Sequence, residues 1–169
     1  MIEVITFIKR KIKFNRYFRQ GLKYADKSNF EDALKHFINA HKVIESDVRA
    51  FINIGICYIE LKNYEKAIDF FKRGSKLLKT NAVAFMYQGY AYYLKGNFKV
   101  AHEKLTASIE MDNSNPLSHY YMGQTLIALG DIEKAEEEFR EIVKYDDSFL
   151  KAKLLTLTEL LLFKNKEHG

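Results

Sequence analysis

Four glycines, Gly21, Gly55, Gly89 and Gly123, stand 34 residues apart, and four alanines, Ala33, Ala67, Ala101 and Ala135, keep the same step. Two residue types sharing one long period require a chain built from copies of a single supersecondary unit. Further marks agree: Tyr24, Tyr58, Tyr92 and Leu126; Phe30, Tyr64, Phe98 and Ile132; Phe37, Phe71, Leu105 and Phe139; Asn29, Asn63, Asn97 and Asp131. Gly96 and Gly130 join the register, so six of the eight glycines obey one rule. Four units result, 14–47, 48–81, 82–115 and 116–149.

Within a unit, apolar residues recur at helical spacing, as in Phe51, Ile54, Tyr58 and then Ala67, Phe70, Phe71, the stripe of an amphipathic helix. Two helices per unit are predicted, separated by short polar breaks at Lys27-Ser28-Asn29, Lys62-Asn63, Lys95-Gly96-Asn97 and Gly130-Asp131. Asn or Asp at those breaks suits the N-cap of the second helix, because its side chain accepts an otherwise unpaired backbone N–H. Asn115-Pro116 reads as a cap followed by proline at the first helical position. One proline and eight glycines are too little punctuation for a β-sandwich or barrel.

With these residues in place, the chain resembles the tetratricopeptide repeat family, whose 34-residue unit runs W-x2-L-G-x2-Y, then A-x3-F, then P. The resemblance spans 136 of the 169 residues. The Trp position carries Tyr17, Phe51, Phe85 and His119; the Leu position carries Gln20, Ile54, Gln88 and Met122; the terminal proline is replaced by Glu45, Lys79, Asn113 and Asp147. The resemblance implies an all-α, right-handed superhelix of four helix-turn-helix repeats. Helical caps are expected at both ends, a basic segment over 1–13 with Ile5, Ile8 and Ile12 on one face, and a C-terminal helix and tail over 150–169, rich in leucine from Leu150 to Phe163.

The same resemblance points to the concave face, lined by the second, fifth, ninth and twelfth residues of each unit. Those are Asn15, Phe18, Leu22, Ala25; Arg49, Ile52, Ile56, Ile59; Val83, Met86, Tyr90, Tyr93; and Leu117, Tyr120, Gln124, Ile127. Thirteen of the sixteen are apolar or aromatic, whereas a face meant only for water is polar. The sixth positions, Arg19, Asn53, Tyr87 and Tyr121, add two more tyrosines. Tyrosine anchors interfaces because it buries area at low entropy cost and keeps a hydroxyl. The residues expected to hold a partner are Arg49, Asn53, Ile56, Met86, Tyr87, Tyr90, Tyr120, Tyr121 and Gln124. A subclass of the family clamps the terminal carboxylate of heat-shock chaperones with Lys, Asn, Asn, Lys and Arg; the corresponding residues here are Phe18, Leu22, Asn53, Val83 and Tyr87, and only Asn53 matches. An apolar peptide or amphipathic helix is the expected partner.

No catalytic chemistry is expected. The sequence has no phosphate-binding glycine loop, no H-E-x-x-H and no C-x-x-C. The five histidines share no ligand spacing, and His119 sits at an aromatic core position. Cys57, the single cysteine, reads as an inert core residue, so neither metal nor other cofactor is expected and a cytoplasmic setting is the default. The run Glu136-Glu137-Glu138 reads as a solvated face.

Charge is segregated. Residues 1–27 hold eight basic against two acidic side chains, net +6, while the remainder holds 19 basic against 20 acidic, net −1. Residues 131–147 carry eight acids against Lys134, Arg140 and Lys144. The function expected first is a non-catalytic adaptor, assembly scaffold or chaperone. Two alternatives stand beside it: homo-oligomerisation of basic end to acidic end, and contact with an anionic membrane surface through residues 1–19. Nucleic acid is not expected, since no base-reading motif accompanies the basic segment.

Overall fold

The computed structural model describes residues 2–77 and 81–144. The expected C-terminal helix and tail over 150–169, and the end of the fourth unit from residue 145, lie outside the described residues. The elements are α1 (Ile2–Ala25), α2 (Phe30–Val43), α3 (Val48–Glu60), α4 (Tyr64–Leu77), α5 (Ala82–Leu94), α6 (Phe98–Met111), α7 (Pro116–Leu129) and α8 (Ile132–Val143). They pair as α1/α2, α3/α4, α5/α6 and α7/α8, each pair packs on the next, and α5 also touches α3 and α7. The result is an all-α solenoid in which each repeat leans on its neighbours.

Polar side chains set the helix starts. Asn29, Asn63, Asn97 and Asp131 accept the backbone N–H of Asp32, Lys66, Val100 and Lys134 at 3.2, 3.2, 3.4 and 3.3 Å. Asp47, Asn81 and Asn115 do the same for α3, α5 and α7. Each such cap contributes about 1 kcal/mol. The equivalent position before repeat one is Lys13, which cannot accept, and the helix does not stop there. The expected segment 1–13 therefore forms no separate element: α1 runs unbroken from Ile2, and residues 2–13 are exposed along their whole length.

The turns inside the four described helix pairs share one design. The N–H of Asn29, Asn63, Asn97 and Asp131 reaches back five residues to the carbonyl of Tyr24, Tyr58, Tyr92 and Leu126 at 2.8–3.0 Å. The residue before each adopts a left-handed backbone: Ser28 (φ 56°), Lys62 (φ 57°), Gly96 (φ 79°) and Gly130 (φ 87°). One residue thus closes the first helix and caps the second. Glycine occupies the strained position in repeats three and four; serine and lysine occupy it in one and two. Lys62→Gly is expected to raise stability by about 0.5–1 kcal/mol, the relief of left-handed strain exceeding the extra freedom of the unfolded chain. Urea denaturation measures it, and a less stable variant would overturn the account.

The periodic glycines lie where paired helices cross. A Cβ at Gly21 would meet the Phe37 ring at 2.6 Å and one at Gly89 would meet Leu105 Cγ at 2.5 Å; Gly55 and Gly123 face Phe71 and Phe139 in the same way. Between repeats the contacts are also close-set. Ala50, Ile54 and Cys57, then Gln88 and Ala91, then Ser118 and Met122 are buried against the preceding repeat. Ser108 Oγ donates to Ala82 O at 2.8 Å and lies 3.0 Å from Ser118 Oγ, so this polar pair is satisfied without water. The matching positions of α1 are Arg16, Gln20 and Lys23, all exposed, which gives the solenoid a polar, basic end face.

Candidate functional site

The first helices of successive repeats carry the predicted concave residues, and contacts of α5 with α3 and α7 bring the middle of that face together. Its centre is a ladder of aromatic rings. Tyr90 on α5 stacks on Tyr121 on α7, centroids 4.1 Å apart and planes at 18°, and Tyr120 meets Tyr121 edge-on at 5.5 Å. Tyr87 stacks on Phe71 of the previous repeat at 5.3 Å. Such pairs add about 0.5–1.5 kcal/mol beyond area burial and hold the rings in fixed orientation.

The phenols are protonated donors at neutral pH. Burial pushes Tyr121 well above the ordinary phenol range, and neighbouring Tyr90, Tyr87 and Tyr120 and the Glu60 carboxylate push the same way. Tyr90 is raised by burial first and by Glu60 next. Gln124 Nε2 donates to the Tyr120 hydroxyl at 3.1 Å, which orients the amide. Tyr87, Tyr90, Tyr121 and Gln124 keep part of their surface in water.

The other expected residues divide. Ile56 packs with Tyr87 and Tyr90 beside the core of Ile59, Ala67, Ile68, Phe71 and Ala91. Met86 is 1% exposed, inside the core with Leu105 and Met122, and Tyr120 is 7% exposed, so both support the face from beneath. Arg49 forms two bonds to Asp47, Nε to Oδ1 at 3.0 Å and Nη2 to Oδ2 at 2.7 Å. Its guanidinium also lies 5.3 Å from the Phe14 and Phe18 rings, where it clamps α3 to α1. Asn53 donates to Arg49 O at 2.8 Å. The polar residues of repeat two are therefore engaged with their own structure, whereas the tyrosines of repeats three and four are gathered.

Sequence reasoning passed over Glu60, whose carboxylate acts on both stacked tyrosines from the last turn of α3. Its position, thirteenth in the unit, falls just beyond the concave stripe. It also passed over Glu138: one of the three acids read as a solvated face accepts from His119 Nδ1 at 2.7 Å, while His119 Nε2 lies 2.8 Å from Asn113 O. Bonds at both ring nitrogens favour the charged imidazole and raise its pKa, the Glu138 bond being the larger cause. Cys57 is 1% exposed, and burial pushes its thiol up to about 12, so it holds no reactive thiolate. Among the described residues no helix is long and apolar enough to cross a membrane.

The family model for the tetratricopeptide repeat matches residues 48–81, and the model for subunit 3 of the anaphase-promoting complex, or cyclosome, matches residues 72–142. No curated protein matches the chain. Among solved structures, TTC0263, a thermophilic tetratricopeptide protein of Thermus thermophilus, is 19% identical over 79% of this chain and 75% of that one, with a TM-score of 0.74. MamA is 17% identical over 85% and 81%, with a TM-score of 0.68. The first repeat domain of Spaghetti (RPAP3), bound to the HSP90 peptide SRMEEVD, is 16% identical over 70% and 94%, with a TM-score of 0.66. The 34-residue register, the glycine crossings, the two family models and these solenoid neighbours agree, and the chain belongs to the tetratricopeptide repeat family.

Proposed function

We propose that this chain is a non-catalytic protein-interaction module, an adaptor, assembly scaffold or chaperone, that holds an apolar peptide segment or amphipathic helix of a partner against the concave face of repeats three and four. The observation that carries the reading is the Tyr90–Tyr121 stack, which joins α5 and α7 while both rings stay partly exposed. A rigid, half-desolvated aromatic pair with neutral hydroxyls offers area and hydrogen bonds at small ordering cost. Leu22 and Val83, 39% and 36% exposed, extend the apolar face beyond it.

An acidic tail of the kind held by the RPAP3 domain is a poor fit here. Of the five clamp positions only Asn53 matches, its amide is turned onto Arg49 O, and Glu60 adds negative charge beside the tyrosines. The reading is tested by capture from the source lysate with wild type and with a Tyr90→Ala, Tyr121→Ala double variant whose helicity is checked by circular dichroism. One partner polypeptide is expected to bind wild type and to lose affinity by about tenfold to a hundredfold in the variant. Equal capture by both, or by neither, would overturn it.

A further inference from the structure

The first half of α1 presents a face that the solenoid does not use. Ile2, Val4, Ile5, Phe7, Ile8 and Ile12 are between 47% and 81% exposed, an unusual density of large apolar side chains in water. The rotation of this segment follows from the unbroken helix, which packs Phe14 and Gly21 inward, and agrees with one long-range contact: Arg10 Nε and Nη2 donate to Val43 O, the last carbonyl of α2, at 3.3 and 2.9 Å. Glu3, Thr6 and Phe7 line the same cleft against Ile44, Glu45 and Ser46. At 100° per residue, Val4, Ile5, Ile8 and Ile12 fall on one arc of roughly 100°, on the opposite side of the helix from Arg10. They face outward.

Charge frames this arc. Lys11 borders it on one side and Lys9, Lys13 and Arg16 on the other, while the arm's single acid, Glu3, points into the cleft. Lys11 Nζ lies 5.8 Å from the Phe7 ring, its stem along apolar surface and its head in water. A second copy laid on the stripe would set these cations against their own counterparts, which disfavours self-pairing. The positive surface also continues past the arm through Arg16, Arg19 and Lys23 on the end face of repeat one, broader than a single acidic helix covers. An apolar stripe with basic flanks on an exposed helix matches the plane of an anionic bilayer. We propose that the arm from Ile2 to Lys13 seats the protein on anionic lipid, its Val4, Ile5, Ile8 and Ile12 side chains entering the headgroup boundary and Lys9, Lys11, Lys13 and Arg16 meeting the headgroups. This anchoring is separate from the tyrosine face.

The test is co-sedimentation of the whole chain with vesicles of phosphatidylcholine containing about one third phosphatidylserine, against pure phosphatidylcholine. Wild type is expected on the anionic vesicles and not on the neutral ones, with binding weakened at about 0.5 M salt. Lys9→Glu, Lys11→Glu, Lys13→Glu should lower partitioning by about a hundredfold or more. Ile5→Asp, Ile8→Asp, Ile12→Asp, on exposed positions and with helicity verified, should abolish it. The Tyr90→Ala, Tyr121→Ala variant should bind vesicles as wild type does, which keeps this result apart from the partner test. Absence of binding, or binding that neither arm variant alters, overturns the proposal. So does a wild-type dimer in sedimentation equilibrium that the isoleucine variant dissociates, because the stripe then belongs to a second copy. Hydrogen-exchange protection of the stripe in the lipid-free monomer that is lost on removing residues 145–169 overturns it too, because the chain then covers its own arm. Capture of an acidic polypeptide on the arm without vesicle binding is the remaining contrary result.

Discussion

Gly89→Leu is expected to lower stability by about 3 kcal/mol, toward the upper end of what overpacking a formed core costs. A Cβ at this position lies 2.5 Å from Leu105 Cγ, 3.0 Å from Leu105 Cδ2 and 3.2 Å from Ala101 O. Leu105 is fully buried among Met86, Met122, Leu126 and Ala135, so it has nowhere to turn. Ala101 O belongs to the α6 backbone and moves only if the helix moves. The substitution must therefore push α5 from α6, and the shift spreads to α7 through the same core. For a chain of this size the loss corresponds to a fall in Tm of roughly 6–12 °C. Gly89→Ala is the informative companion: the gain in helix propensity, close to 1 kcal/mol, offsets part of the collision, so a loss of about 1 kcal/mol is expected. Urea and thermal unfolding read both. An unchanged midpoint in the leucine variant would mean that α5 and α6 do not cross at this glycine.

That the crossing could be placed from sequence at all follows from the repeat. A residue recurring every 34 positions meets the same neighbour each time, so Gly21, Gly55, Gly89 and Gly123 find Phe37, Phe71, Leu105 and Phe139 without any long-range prediction. The caps were legible for the same reason, and so was the gathering of Tyr87, Tyr90, Tyr120 and Tyr121 on adjacent helices. Periodicity does not reveal what happens when one copy departs from the pattern. Lys13 stands where Asp47, Asn81 and Asn115 cap later helices, and the consequence, a helix running on to Ile2, is a missing stop signal rather than a present one. Ser28 and Lys62 gave no hint of left-handed backbone, because the glycines that mark it occur only in repeats three and four. Arg49 looked available because its stripe position faces the groove; the short reach to Asp47 and the Phe14 and Phe18 rings from α1 claim it instead. Side-chain pairing across helices, as in His119 with Glu138, has no sequence period and emerges only from the way α7 packs on α8.

The largest loss is expected from Phe71→Ala, about 3–5 kcal/mol, because one ring serves two interfaces. Phe71 is fully buried; it packs over Gly55 within its own repeat and stacks on Tyr87 of the next at 5.3 Å. Nearby, Gln88 Nε2 donates to Ser75 Oγ at 3.2 Å, so the same α4/α5 seam carries a polar tie that depends on the spacing the ring maintains. In a solenoid each repeat contacts only its neighbours, so weakening the central seam uncouples the two halves. Urea unfolding followed by tyrosine near-ultraviolet circular dichroism, in a chain with eleven tyrosines and no tryptophan, should change from one transition to two. Phe139→Ala in repeat four is the comparison, since Phe139 is partly exposed and its crossing lies at the end of the described array; it should cost less and leave a single transition. Equal costs, with one transition in both, would mean that the ring does not couple the repeats. The functional consequence separates the variants further. Phe71→Ala releases Tyr87 and should lose partner binding together with stability, whereas Tyr90→Ala, Tyr121→Ala should lose binding at a smaller cost in stability, because those two rings are partly exposed and fill no helix crossing.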